Sequence, residues 1–124
     1  MIPPLRRGGV TRIAVDGMGG DRAPGVVVEG AVQAARAVEA EIILVGHQDQ
    51  LSKHLKGLGS IPQNFRIHHA SEVIEMAESP AVSVRRKPDS SICQMVELAR
   101  RGEADAIVSA GNTGAVVCAA SLGL

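Results

Sequence analysis

The sequence has 124 residues, of which 13 are basic and 13 acidic, so it carries no formal net charge. No overall field draws such a chain to nucleic acid or to an anionic membrane, and with Phe65 as its only aromatic it has no platform on which bases could stack. Its 45% hydrophobic content is almost all aliphatic, which suits one domain of sheet strands covered by closely packed helices.

Residues 1–10 are expected to be a flexible extension. Arg6 and Arg7 have no apolar stretch behind them, so the start does not read as a secretory signal. The last eleven residues, Gly114 to Leu124, are uncharged but too short to span a bilayer. A soluble, cytoplasmic protein is expected. Cys93 and Cys118 show neither CxxC nor Cys/His metal spacing, which fits a reducing compartment without structural zinc.

From Val10 to Asp16 the pattern predicts a strand, with Ile13, Ala14 and Val15 as the apolar run of a strand covered on both faces. Gly17 to Pro24 breaks it. A helix is then predicted from Gly25, with Val26, Val27, Gly30, Ala31, Ala34, Ala35 and Val38 on its inner face and Glu29, Gln33, Arg36 and Glu39 largely outside. Glu41 to Gly46 reads as a second buried strand, Asp49 to Lys56 as a short helix, and Phe65 to His68 as a third strand. Between Glu72 and Pro88 no element is assigned. A further helix, capped by Asp89 or Ser90, carries Ile92, Met95, Val96 and Ala99 on one face and stops at Arg100, Arg101 and Gly102. Ala104 to Ser109 reads as another buried strand, and a small-residue helix starts near Ala115. Alternating strand and helix imply an α/β fold with a mostly parallel sheet and helices on both faces. Val116, Val117, Leu122 and Leu124 have no following element to cover them, so the segment is expected to be truncated from a longer protein.

Three loops carry groups suited to chemistry. The first, Asp16 to Pro24, follows the first strand at the sheet edge where ligands bind, and Gly17, Gly19 and Gly20 let backbone N–H groups approach an anion or a carbonyl. It is neither GxGxxG nor a P-loop, and its plain alternative is a tight turn capped by Asp21. The second, Arg85-Arg86-Lys87-Pro88-Asp89-Ser90-Ser91, places three cations before a helix N-terminus, where a phosphate could be collected; otherwise it is a solvated loop with a serine cap. The third, Ser109 to Ala115, offers Asn112 and Thr113 as uncharged donors beside Gly111 and Gly114, suited to a thioester carbonyl or a phosphate oxygen, or simply to a turn and cap. Cys118 on an apolar helix reads as a small hydrophobe, and His68 and His69, adjacent on a strand, point to opposite faces.

Taken in order, IAVDGMGGDRAP, RRKPDSS and SAGNTGA resemble the amino-terminal signature of the PlsX family of phosphate acyltransferases, with SAGNTGA after a DAIV strand the most specific part. The resemblance runs from about Thr11 to Leu124 and covers well under half of the family length. Gly17 stands where the family usually has a residue such as Ala. The resemblance implies an architecture similar to isocitrate dehydrogenase and phosphotransacetylase. It also implies a homodimer, and conversion of acyl-[acyl carrier protein] and inorganic phosphate to acyl phosphate for phospholipid synthesis. Any peripheral membrane contact would come from the part of the family length not represented here. On this basis Arg86, Lys87, Ser90 and Ser91 are expected to hold phosphate. Asn112, Thr113, Gly111 and Gly114 would meet the carbonyl or oxyanion, with Lys87, Asn112 and Thr113 as the catalytic set. Asp16 and Asp21 would orient the loops while Gly19 and Gly20 admit substrate. This chemistry requires no metal or redox cofactor. The alternatives are a phosphotransacetylase-like enzyme using acyl-coenzyme A, and a non-catalytic fragment that keeps only a binding surface.

Overall fold

The computed structural model describes residues 9–124. Most of the expected extension over residues 1–10 therefore lies outside the described residues. The elements are β1 (Thr11–Asp16), α1 (Gly25–Ala37), β2 (Ala40–Gly46), α2 (Gln48–Leu55), β3 (Phe65–His69), α3 (Pro80–Arg86), α4 (Ser91–Arg100), β4 (Ala106–Val108) and α5 (Thr113–Gly123). Four parallel strands form one sheet in the order β3-β2-β1-β4.

The period of two along β2 divides the core between the faces of the sheet. Ile42 and Leu44 point to the side where Val28, Ala31, Val32 and Ala35 of α1 and Leu51 of α2 pack. Ile43 and Val45 point to the opposite side, with Ala14 of β1 and with Met95 and Leu98 of α4. A third cluster joins Ile92 and Val96 of α4 to Ile74 and to Ala115 and Ala119 of α5. Helices on both faces and an all-parallel sheet agree with the predicted α/β class. No described helix is long and apolar enough to cross a membrane.

Helix α4 ends as its sequence predicts. Gly102 adopts a left-handed φ of 74° and Glu103 N donates back to Leu98 O at 2.8 Å, which returns the chain towards β4.

Three expectations are corrected. The buried stripe of α1 is Val28, Ala31, Val32 and Ala35, while Val26 is 57% exposed. Three consecutive valines fit two helical registers, and docking onto Ile42 and Leu44 selects the later one. Strand β4 is shorter than predicted and is not buried: it lies at the sheet edge with Val108 53% exposed, beyond the face that α1 and α2 cover. The unassigned stretch contains α3, whose start is marked by Pro80 in the first turn after Ser79, the position where a missing N–H costs no helical bond.

Candidate functional site

The chain runs β1, β2, β3 in one direction across the sheet and then returns to place β4 on the other side of β1. Strand order therefore reverses between β1 and β4, the place in open α/β sheets where a crevice forms beyond the carboxyl ends of the strands. The first and third loops leave from those two strand ends.

They are tied together by a buried carboxylate. Asp16, only 2% exposed, accepts from Met18 N through Oδ1 at 3.0 Å and from the Ser109 hydroxyl through Oδ2 at 2.8 Å. Ser109 Oγ in turn accepts from Gly111 N at 3.0 Å. A Cβ on Gly19 would lie 2.6 Å from Asp16 Oδ2 and 2.8 Å from Gly111 N, so the two backbones approach as closely as they do only because residue 19 has no side chain. Beside this junction a concavity of about 310 Å³ is walled by Gly19, Gly20, Arg22, Val26, Val27 and Ala110. Arg22 and the valines of α1 were not among the predicted site residues. The DRAP turn carries the signal for Arg22, whereas Val26 was assigned to the core.

Asp21 is exposed and does not cap α1. The N-cap is Pro24, which has no side chain able to accept the bond. The turn itself places Asp21 at the rim of the concavity.

The third loop continues into α5, whose N-cap is Asn112. Asn112 Oδ1 accepts from Ala115 N at 3.1 Å, while Nδ2 donates to Glu75 O at 3.1 Å and Glu78 O at 3.0 Å. At 5% exposure the amide is fully occupied by the fold, and it clamps the loop before α3 against the SAGNTGA turn. Thr113 is exposed at the start of α5, where the first backbone N–H groups have no intrahelical acceptor. Gly114 packs against Pro80: a Cβ there would lie 2.6 Å from Pro80 Cγ.

The second loop is divided by the structure. Arg85 and Arg86 form the exposed last turn of α3, and Lys87 is its C-cap. Lys87 Nζ donates to Val73 O at 2.7 Å and to Glu78 Oε2 at 2.8 Å, leaving one of its three N–H groups. Glu78 is held below the usual carboxylate range, chiefly by that hydrogen bond from Lys87 and then by Glu75 N. Ser90 and Ser91 turn inward and are buried. Ser90 caps α4 by accepting from Cys93 N at 3.2 Å, and its backbone forms a parallel bridge with Glu72. Asp89 is lowered first by the Ser71 hydroxyl, then by Ser71 N. The structure thus joins Lys87 to Asn112 through Glu78 and joins Asp16 to Ser109 and Gly111, while Ser90 meets Lys87 only through its backbone, Ser90 N donating to Lys87 O at 3.1 Å, and turns its hydroxyl to the start of α4.

His68 and His69 diverge as the strand geometry requires. His68 Nε2 lies 3.0 Å from Gln94 Oε1, and His69 Nδ1 accepts from Gln48 N at 3.1 Å with its ring edge-on to His47. A larger concavity of about 400 Å³ lies among α3, α4 and α5, lined in part by Val84, Cys93, Val96 and Leu122. It contains neither glycine loop, so the candidate site is placed at the β1/β4 edge, where backbone donors and a buried carboxylate converge.

The chain belongs to the family described as Fatty acid synthesis protein, the PlsX family, whose model matches residues 11–124. It is 50% identical over 113 residues to a phosphate acyltransferase of Desulfitobacterium hafniense, covering 91% of this chain and 34% of that protein. It is 52% identical over 113 residues to a phosphate acyltransferase of Pelotomaculum thermopropionicum, covering 91% of this chain and 33% of that protein. With a phosphate acyltransferase of Chlorobaculum parvum the identity is 49% over 109 residues, covering 86% of this chain and 32% of the other. The chain spans about a third of the length of these curated relatives.

Proposed function

We propose that this chain supplies part of the active site of an acyltransferase that moves an acyl group from acyl-[acyl carrier protein] to inorganic phosphate in phospholipid synthesis. The observation that carries the reading is the joining of the two glycine loops, Asp16 to Ser109 to Gly111, at the point where strand order reverses.

In this reaction an oxygen of hydrogen phosphate attacks the thioester carbonyl. The new carbon–oxygen bond forms, the tetrahedral oxyanion collapses, and the carbon–sulfur bond breaks with its electron pair leaving on the pantetheine sulfur. The phosphate proton passes to that thiolate, giving acyl phosphate and the free carrier thiol. Phosphate is strongly hydrated, so a site that uses it must replace water with cations and N–H donors. Lys87 provides the remaining ammonium N–H, and Arg86 an exposed guanidinium. Thr113 and the backbone around Gly111 and Gly114 face the carbonyl oxygen, with Asn112 fixing that turn. Asp16 holds the loops in register. Gly19, Gly20 and Asp21 border the concavity that admits the acyl donor. Ser90 and Ser91 act from beneath by anchoring the start of α4. Homodimer assembly, a cytoplasmic location and peripheral membrane contact outside this segment belong to the same reading.

The test is to place residues 11–124 in the matching third of the Desulfitobacterium hafniense relative and measure acyl phosphate formed from acyl-carrier protein and phosphate. Phosphate-dependent release of carrier thiol with stoichiometric acyl phosphate is expected. Turnover with acyl-coenzyme A but none with acyl-carrier protein would favour a phosphotransacetylase-like enzyme instead.

A further inference from the structure

Glu78 stands between two residues of the candidate catalytic set. Its side chain accepts from Lys87 Nζ at 2.8 Å through Oε2 and from the Ser83 hydroxyl at 3.1 Å through Oε1, and its backbone oxygen accepts from Asn112 Nδ2 at 3.0 Å. Glu75 N also donates to Oε2, at 2.6 Å, closing the turn in which Glu78 sits. The carboxylate is fixed from two directions, by Ser83 and Glu75 N, before Lys87 reaches it. A lysine on a flexible stem gains a defined direction only when partners of this kind hold it, because ordering the side chain costs rotamer entropy.

We infer that Glu78 is the positioning residue for phosphate: it aims the remaining N–H of Lys87 and locks that aim to the Asn112 turn that carries the carbonyl-facing backbone. The inference rests on the acyltransferase reading for the identity of the anion. The geometry explains why an acid belongs beside a cation meant for an anion. Lys87 has three donors, and Val73 O and Glu78 Oε2 use two of them, so the third has a single direction left to it. Glu78 is itself held by Ser83 and Glu75 N, so an arriving phosphate meets an anchored carboxylate rather than a loose one that would swing into the site.

The experiment uses the hybrid protein described above and reads two quantities: the dissociation constant for inorganic phosphate by calorimetry, and the acyl phosphate rate. Glu78→Gln keeps the shape and removes the charge. It should weaken phosphate binding roughly tenfold and raise the phosphate KM by a similar factor, leaving kcat within about threefold. Glu78→Asp should restore part of the loss. Ser83→Ala, which only loosens the carboxylate, should weaken phosphate binding by about twofold to threefold, and it serves as the readout if Glu78→Gln does not fold. An unchanged phosphate dissociation constant in the folded variants overturns the inference, as does a hybrid that binds no phosphate. Phosphate binding that depends on Glu78 without any acyl phosphate formation keeps the inference and overturns the acyltransferase reading.

Discussion

Ser109 donates its hydroxyl proton to Asp16 Oδ2 across 2.8 Å, joining the ends of two neighbouring strands that lie 93 residues apart in sequence. Ser109→Ala removes the donor from a buried carboxylate oxygen and the acceptor from Gly111 N. Loss of stability of about 1–3 kcal/mol is expected, since partners left unsatisfied cost more than the bond they made. Gly19→Ala should cost a similar ~1–3 kcal/mol by overpacking, because the new methyl meets Gly111 backbone as well as the Asp16 carboxylate. Urea denaturation of the two variants checks both. Wild-type midpoints would mean that the loops are not held together by this contact.

Lys87→Ala is expected to impair phosphate use far more than folding. Loss of a charged hydrogen bond in a water-poor site costs on the order of 1.5–3 kcal/mol, equivalent to a rise of about ten- to hundredfold in the phosphate KM. The control is Lys53→Ala on the exposed side of α2, where a change below ~0.5 kcal/mol is expected. Phosphate kinetics in the hybrid enzyme, alongside thermal melts, separate the two effects. Equal behaviour of the two variants would make the Arg85-to-Ser91 stretch a structural turn only.

Acid should destabilise the fold through its hydrogen-bonded carboxylates. Glu97 is lowered from 4.5 to about 2, first by its hydrogen bond with Arg100 and then with Arg101. Glu78 and Asp89 are lowered by Lys87 and Ser71 respectively. A carboxyl with a depressed folded pKa contributes fully above its unfolded value, and the contribution is lost as pH falls through the folded value. Stability should therefore begin to fall below the unfolded values of 4.5 and 3.8, and the share of Glu97 is lost as pH falls towards about 2. Glu97→Gln should flatten the lowest part of the profile. Because Arg100 and Arg101 are more than half exposed, high salt should diminish the difference between variant and wild type. Denaturation midpoints across the acid range, at low and high salt, test this.

Residues 1–124 alone are expected to form no acyl phosphate. The β1/β4 junction supplies donors on one side, but Val108 on the edge strand and Val117 and Leu122 on α5 remain 53%, 59% and 73% exposed, so among the described residues no second wall covers these apolar faces. Self-association through those apolar faces is expected. Light scattering of the purified 124-residue chain, with an assay of acyl phosphate production, decides the matter: a monomer that turns over would show the segment to be self-sufficient.

The sequence by itself determined the α/β class, the positions of β1, β2 and β3 and the stop of α4, because these follow from local chemistry. A continuous apolar run marked β2 as a buried strand, Ser90 was legible as a cap, and Gly102 could take the left-handed turn that ends α4. The first and third candidate loops were legible for the same reason, since their glycine-rich runs follow the ends of β1 and β4. Long-range choices were decided only by the tertiary structure. Which of the valines at 26 to 28 faces inward depends on docking to Ile42 and Leu44, and whether β4 is buried depends on its place at the sheet edge. The partner that Lys87 would choose was also hidden. Glu78 is nine residues away across a helix that the sequence did not disclose, and only folding brings the carboxylate under the ammonium and its backbone oxygen under Asn112. Periodicity and capping are properties of neighbouring residues, whereas charge pairing across a turn is set by where the whole chain packs.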